Sequence, residues 1–175
     1  MNPIRIGSVN AALSTPDNFL LVKRDADPFI RIDIYQNSSE LNLYQHAVVF
    51  GKMIAIGFGH KTDFVWVDTL ELIEFKIDDY FMSFLIHDDY LFVTTARSIY
   101  KFNNKAELMW KSDAIGIDGV EILKVQKEFL YVRAEQSPPG EWFCYTVDNG
   151  SGKVSEKTVP EVESGSDISK DVKDN

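Results

Sequence analysis

The sequence predicts an all-β chain built from one antiparallel four-stranded unit used several times. Three observations predict it. Helical periodicity is nearly absent, and short β-branched and aromatic runs alternate with turn residues instead. One turn recurs: "YQNSSEL" at 35–41 matches "FNNKAEL" at 102–108, "VDTLEL" at 67–72 is one residue shorter, and "VDNGSGKV" at 147–154 is a Gly-rich version. Finally, the apolar runs "FLLV" at 19, "MIAI" at 53, "YLFV" at 90 and "FLYV" at 129 follow one another at spacings of 34, 37 and 39. A recurrence every 34 to 39 residues marks a repeat architecture.

Each unit divides into strands a to d. The first has no clear strand a. It supplies "FLLVKR" (19–24) and "FIRIDIY" (29–35), followed by "ELNLY" (40–44). Upstream, "VNAALS" suggests a helical turn, and Asp17-Asn18 after Pro16 reads as a turn. The second unit is "HAVVF" (46–50), "MIAIGF" (53–58), "DFVWVD" (63–68) and "LELIEF" (70–75). In the third come "FMSFLI" (81–86), "YLFVTT" (90–95), "SIYKF" (98–102) and "AELMW" (106–110). The fourth has "GVEILKV" (119–125), "FLYVRA" (129–134), "WFCYTV" (142–147) and "KVSEK" (153–157). One such sheet cannot bury its apolar face alone, so the units must stack in a ring or arc.

The run "SIYKFNNKAELMWKSD" resembles a blade end of β-propellers of the quinoprotein or WD type. In those, an aromatic strand passes through an Asp/Asn/Gly turn into a strand ending at Trp. As a pattern the resemblance covers roughly residues 19 to 157. It implies a small or incomplete β-propeller-like arrangement, with a β-sandwich of two packed sheets as the alternative. Residues 1–157 form one repeat domain in this reading. From Ser155 onward there are six acids, three bases and no aromatic residue, so 158–175 reads as an acidic, disordered tail.

Charge narrows the function. Eighteen basic against 27 acidic side chains give a net charge of −9, which repels nucleic acid and anionic membranes and attracts a basic protein. The single cysteine, Cys144, excludes an internal disulfide and fits a reducing compartment. No basic-then-apolar leader opens the chain, and no apolar run reaches the roughly 18 residues that span a bilayer. A cytoplasmic protein is the expectation.

The triplet Asp-Asp-Tyr occurs at 78–80 and again at 88–90. The repeat places Asp88 and Asp89 in a tight a–b turn and Asp78 and Asp79 in a d–a connector. These lie at opposite ends of the strands, so the four carboxylates do not form one metal site. Connectors d–a and turns b–c share one face. On it the sequence places Asp25, Asp27, Asp63, Asp78, Asp79, Asp113, Asp118, Glu135 and Glu141, with Arg24, Lys61 and Arg97 as bases and Tyr80 and Trp142 as aromatic borders. The longest connection there, "EQSPPGEW" at 135–142, is stiffened by two prolines.

Catalytic signatures are missing. The histidines His46, His60 and His87 have no zinc-ligand spacing, Cys144 sits mid-strand without a base, and "GFG" at 57–59 is not followed by Gly-Lys-Ser/Thr. No cofactor is implied. In character the chain resembles bacterial toxin-neutralising immunity proteins of contact-dependent growth inhibition systems. That resemblance implies a non-catalytic protein whose acids cover a basic toxin nuclease, with Asp25, Asp27, Asp63, Asp78, Asp79, Tyr80, Asp113, Asp118, Glu135, Glu141 and Trp142 at the partner surface. The alternative is a ligand sensor, scaffold or hydrolase on the same face, using His60, Asp63 and Glu141.

Overall fold

A computed structural model describes residues 3–7, 16, 18–24, 27–35, 44–137 and 139–158. The described chain is all-β, with fifteen strands in four sheets. The first sheet holds β1 (Ile4–Gly7), β2 (Asn18–Arg24) and β3 (Asp27–Tyr35) in the order β1-β3-β2. The second holds β4 (Gln45–Phe50), β5 (Met53–Phe58), β6 (Lys61–Trp66) and β7 (Leu72–Lys76). The third holds β8 (Phe81–His87), β9 (Tyr90–Thr95), β10 (Ile99–Asn103) and β11 (Leu108–Lys111). The fourth holds β12 (Val120–Val125), β13 (Phe129–Ser137), β14 (Glu141–Asp148) and β15 (Val154–Thr158). The last three are plain antiparallel meanders, as the repeat predicts.

Three apolar clusters stack the sheets in chain order. Ile6, Ile32 and Ile34 of the first sheet meet Ile54, Ile56 and Val65 of the second. On the other side, Met53 and Phe64 of the second meet Phe81, Leu91 and Phe102 of the third. Phe92, Ile99 and Trp110 of the third then meet Val120, Leu130 and Val132 of the fourth. No cluster among the described residues joins the fourth sheet back to the first. The result is a propeller-like arc. Burial follows from this position. β5, between two neighbours, is buried at every residue, whereas β13 in the terminal sheet alternates buried and exposed along Leu130–Ala134.

Glycine sets the junction of the second and third sheets. A Cβ on Gly57 would lie 2.2 Å from the ring of Phe81, so the bare backbone of β5 is what lets that ring seat. Gly59 has φ 49° and closes the β5–β6 turn. "GFG" is therefore packing and turn chemistry.

The first sheet departs from the expected layout. The sequence assigns β2 and β3 to strands b and c, with a strand d at 40–44. Instead the β2–β3 hairpin occupies positions a and b. Lys23 and Phe29 beside its turn share a groove with Gly51, Lys52 and Asp68, which are a–b and c–d turn residues of the second sheet. Asn18 and Ile34 at its other end lie beside Gln45 and Phe58. The third position belongs to β1, which runs parallel to β3 with Ile4 opposite Ile32. Residues 40–43 lie outside the described residues and Tyr44 is not in a strand. The tail expected at 158–175 starts one residue too early, because Thr158 still belongs to β15; residues 159–175 and the helical turn expected at 9–14 lie outside the described residues.

Candidate functional site

Backbone hydrogen bonds tie the d–a connectors to the b–c turns of the preceding sheet. The amides of Ile77 and Phe81 donate to the carbonyls of His60 at 3.0 Å and Gly59 at 2.7 Å. One sheet further on, the Ile115 amide donates to Arg97 at 2.7 Å, and between the two the Ala96 amide donates to Tyr80 at 3.1 Å. The connector of the fourth sheet closes on β13, from Ile117 N–H to the Glu135 carbonyl at 2.8 Å and from Glu135 N–H to that of Gly119 at 2.9 Å. These bonds make one continuous end. The opposite end carries the a–b and c–d turns, joined from Val67 to Lys52 and from Asn149 to Glu128. Asp88, with φ 51°, sits there in a left-handed turn position that Asp tolerates. The two Asp-Asp-Tyr triplets are thus at opposite ends.

Eight of the eleven expected residues come together at the connector end. Tyr80 reaches from one connector to the next, its hydroxyl donating to the Asp118 carboxylate and, at 3.3 Å, to the Asp118 carbonyl. Burial and then the adjacent Asp118 push the Tyr80 phenol well above its usual range, which keeps it a neutral donor. Glu135 accepts the Gly140 amide at 2.6 Å and so shapes the β13–β14 turn. Trp142, half-buried, lies against Gly119, where a Cβ would come within 2.9 Å of the ring. Asp113, Asp118 and Glu141 are exposed and Asp79 is half-buried. Asp78 is exposed and ion-paired with Lys111, and its amide donates to the Tyr100 hydroxyl at 3.0 Å. The hydrogen bond from Lys111 holds the Asp78 carboxyl below its usual range.

Three residues fall elsewhere. Asp25 lies outside the described residues. Asp27 is exposed beside the β2–β3 turn, hence at the opposite end, because the hairpin occupies a and b. Asp63 is not on a loop: β6 begins at Lys61, and alternation turns Asp63 with Val65 into the junction with the first sheet, at zero exposure. The proposed set His60, Asp63 and Glu141 is not assembled. His60 is exposed at the second sheet and Glu141 belongs to the fourth, with the third between them.

The sequence reading missed Lys111, which neutralises Asp78, and Arg133, which stacks 5.1 Å above Trp142 and pairs with Glu121 at 2.5 Å. Lys111 could have been found: it closes strand d two residues before Asp113, so it reaches the connector end. Among the described residues no three His, Cys, Asp or Glu side chains are grouped to hold a metal ion, and no helix is long and apolar enough to cross a membrane. The chain matches no protein-family model, and no curated protein matches it in sequence.

Proposed function

We propose that this chain is a non-catalytic acidic binding protein whose connector end covers a basic protein surface. One observation carries the reading. Among the described residues, Asp79, Asp113, Asp118, Glu135 and Glu141 sit at one end of the stack with no ion pair of their own. The connectors that carry them are tied by backbone bonds at Ile77, Phe81, Ile115, Ile117 and Glu135, and Tyr80 and Trp142 stand among them. The Asp118 and Glu135 carboxylates, already hydrogen-bonded, lose little entropy on binding a Lys or Arg, and partly buried aromatics supply contact area. The finer proposal is an immunity protein that covers the active site of a toxin nuclease in the cytoplasm. Its carboxylates would occupy the basic groups that such an enzyme uses on phosphate. Neither nucleic acid nor an anionic membrane suits this end.

The test is capture from native lysate at low and high salt, using the wild type and the variant Asp79→Asn/Asp113→Asn/Glu141→Gln, with mass spectrometry of the eluates. A basic protein that salt releases, and that the neutralised variant does not retain, supports the proposal. Equal retention by the neutralised variant at low salt overturns the assignment of this end. Nuclease activity of the captured protein, inhibited by this chain, separates the immunity reading from other basic partners.

A further inference from the structure

Among the described residues the second and third sheets have both faces packed, but the first and fourth each leave one face outside the apolar clusters, although Asp33 and Tyr35 at one end of the first sheet's outer face are buried. Strand pairing fixes what those faces carry. In the first sheet Leu20 and Ile32 point inward, so Phe19, Leu21, Arg31 and Asp33 point outward. Likewise, Val132 and Ala134 point inward in the fourth sheet, so Glu121, Tyr131 and Arg133 point outward. The bulge between Ile122 and Lys124 leaves Leu123 exposed as well. Exposure is high for such side chains: Phe19 55%, Leu21 39%, Leu123 51% and Tyr131 41%. An isolated exposed apolar residue is ordinary, but these lie in pairs on flat sheet faces at the two ends of one stack.

The two faces also share one polar arrangement. Arg31 lies 5.0 Å over the Phe19 ring and 2.7 Å from Asp33, and Arg133 lies 5.1 Å over Trp142 and 2.5 Å from Glu121. Each face therefore presents an aromatic ring and a guanidinium; the carboxylate beside it is exposed on the fourth sheet, at Glu121, and buried on the first, at Asp33. Laid against each other, the two faces can set the exposed Arg31 against the exposed Glu121 while burying their apolar residues.

We propose that two copies of this chain close into a single ring, with the outer face of the first sheet of each copy packed on the outer face of the fourth sheet of the other. The contact continues the face-to-face packing that the chain already makes three times within itself. Four sheets per copy give eight per ring, within the usual range of propellers. The two junctions are head-to-tail and identical, so a two-fold axis closes them. Along that axis both connector ends point the same way. Trp142 belongs both to this surface and to the acidic end, but the contact is carried by the exposed apolar residues of the two outer faces, so the inference does not rest on the proposed function.

The experiment is light scattering coupled to size exclusion on the full chain over a hundredfold concentration range, with Phe19→Glu and Tyr131→Glu as variants. Circular dichroism and melting confirm that each variant is folded. The expected result is a wild-type particle of twice the 19.9-kDa chain mass and at least tenfold weaker association for either variant. A mixture of the two variants regains a dimer, because one junction of the mixed pair keeps both native faces. A wild type that is monomeric throughout overturns the proposal. So does assembly that grows past two copies, a dimer lost with only one of the variants, or a mixture that stays monomeric.

Discussion

Asp63 and Lys61 form an ion pair, Nζ to Oδ2 3.0 Å, in the junction of the first two sheets, and the Asp63 side chain has no solvent contact. Neither carboxylate oxygen is otherwise hydrogen-bonded. Desolvation outweighs the attraction of Lys61, and the Asp63 carboxyl is pushed up from 3.8 to about 6. An acid whose pKa is raised on folding binds its proton more tightly in the folded state. Its contribution to stability is fully present below pH 3.8 and is lost as pH rises through 6. The shift corresponds to about 3 kcal/mol. Asp63→Asn removes the titration. Urea unfolding at a series of pH values from 4 to 8 should show the variant gaining on the wild type as pH rises, levelling off above about pH 7. Parallel curves would show that Asp63 is not the titrating group.

Gly57 and Phe81 give a test of the next junction. Gly57→Ala sets a methyl group into the buried Phe81 ring, and overpacking of this kind costs ~1–3 kcal/mol. Phe81→Leu alone loses apolar burial. Combined, the two substitutions should cost less than their sum, because the smaller side chain makes room for the methyl. The full double-mutant cycle in urea measures that coupling, and simple additivity would mean that the two groups do not touch.

The sequence made three of the four sheets legible because their meanders repeat both turn chemistry and apolar runs at a common period. The phase of the first sheet was not legible. A hairpin such as "FLLVKR…FIRIDIY" reads the same in positions a–b as in b–c, and only packing against the second sheet decides. β1, with four residues, is too short to announce itself. Those two features moved Asp27 to the other end. Asp63 was misplaced for a different reason: placing the strand start at 63 made it a loop residue. Yet Asp63 and Val65 share a face, and the first sheet covers that face. Tyr80, Asp118 and Trp142 were legible as neighbours because the connectors follow from the repeat. Arg133 over Trp142 was not, since it depends on cross-strand register.

Lys101 links the third and fourth sheets. Its ammonium donates to the Asn149 carbonyl at 2.9 Å and to Asn149 Oδ1 at 2.8 Å, and lies 3.8 Å from the Tyr90 ring centre. Burial lowers its pKa, so the charge is tolerated only because those acceptors and rings face it. Lys101→Met keeps most of the volume but leaves Asn149 Oδ1 without this donor. The expected loss is about 2–3 kcal/mol, read from the urea midpoint. Lys101→Ala should lose more, since a cavity is added. A neutral Lys101→Met would show that the amine contributes nothing net to the junction.

The c–d turns offer a last test, because the same left-handed position is filled by three different residues. Leu70, Ala106 and Gly152 have φ of 60°, 61° and 74°. A left-handed residue with a Cβ costs ~1–2 kcal/mol, and glycine loses ~0.5–1 kcal/mol of extra chain entropy on folding. Ala106→Gly should therefore stabilise by ~0.5–1 kcal/mol, since the strain relieved exceeds the entropy lost. Gly152→Ala runs the other way, and further than backbone strain alone requires. A Cβ there would lie 2.6 Å from the Trp110 ring, whose Nε1 is anchored to the Asn149 carbonyl at 2.9 Å and so resists displacement. Melting temperatures of the two variants should move in opposite directions, with the larger shift for Gly152→Ala. If Ala106→Gly lowers the melting temperature instead, the packing lost with the half-buried Ala106 methyl, which lies against the core of the second and third sheets, outweighs the strain relieved.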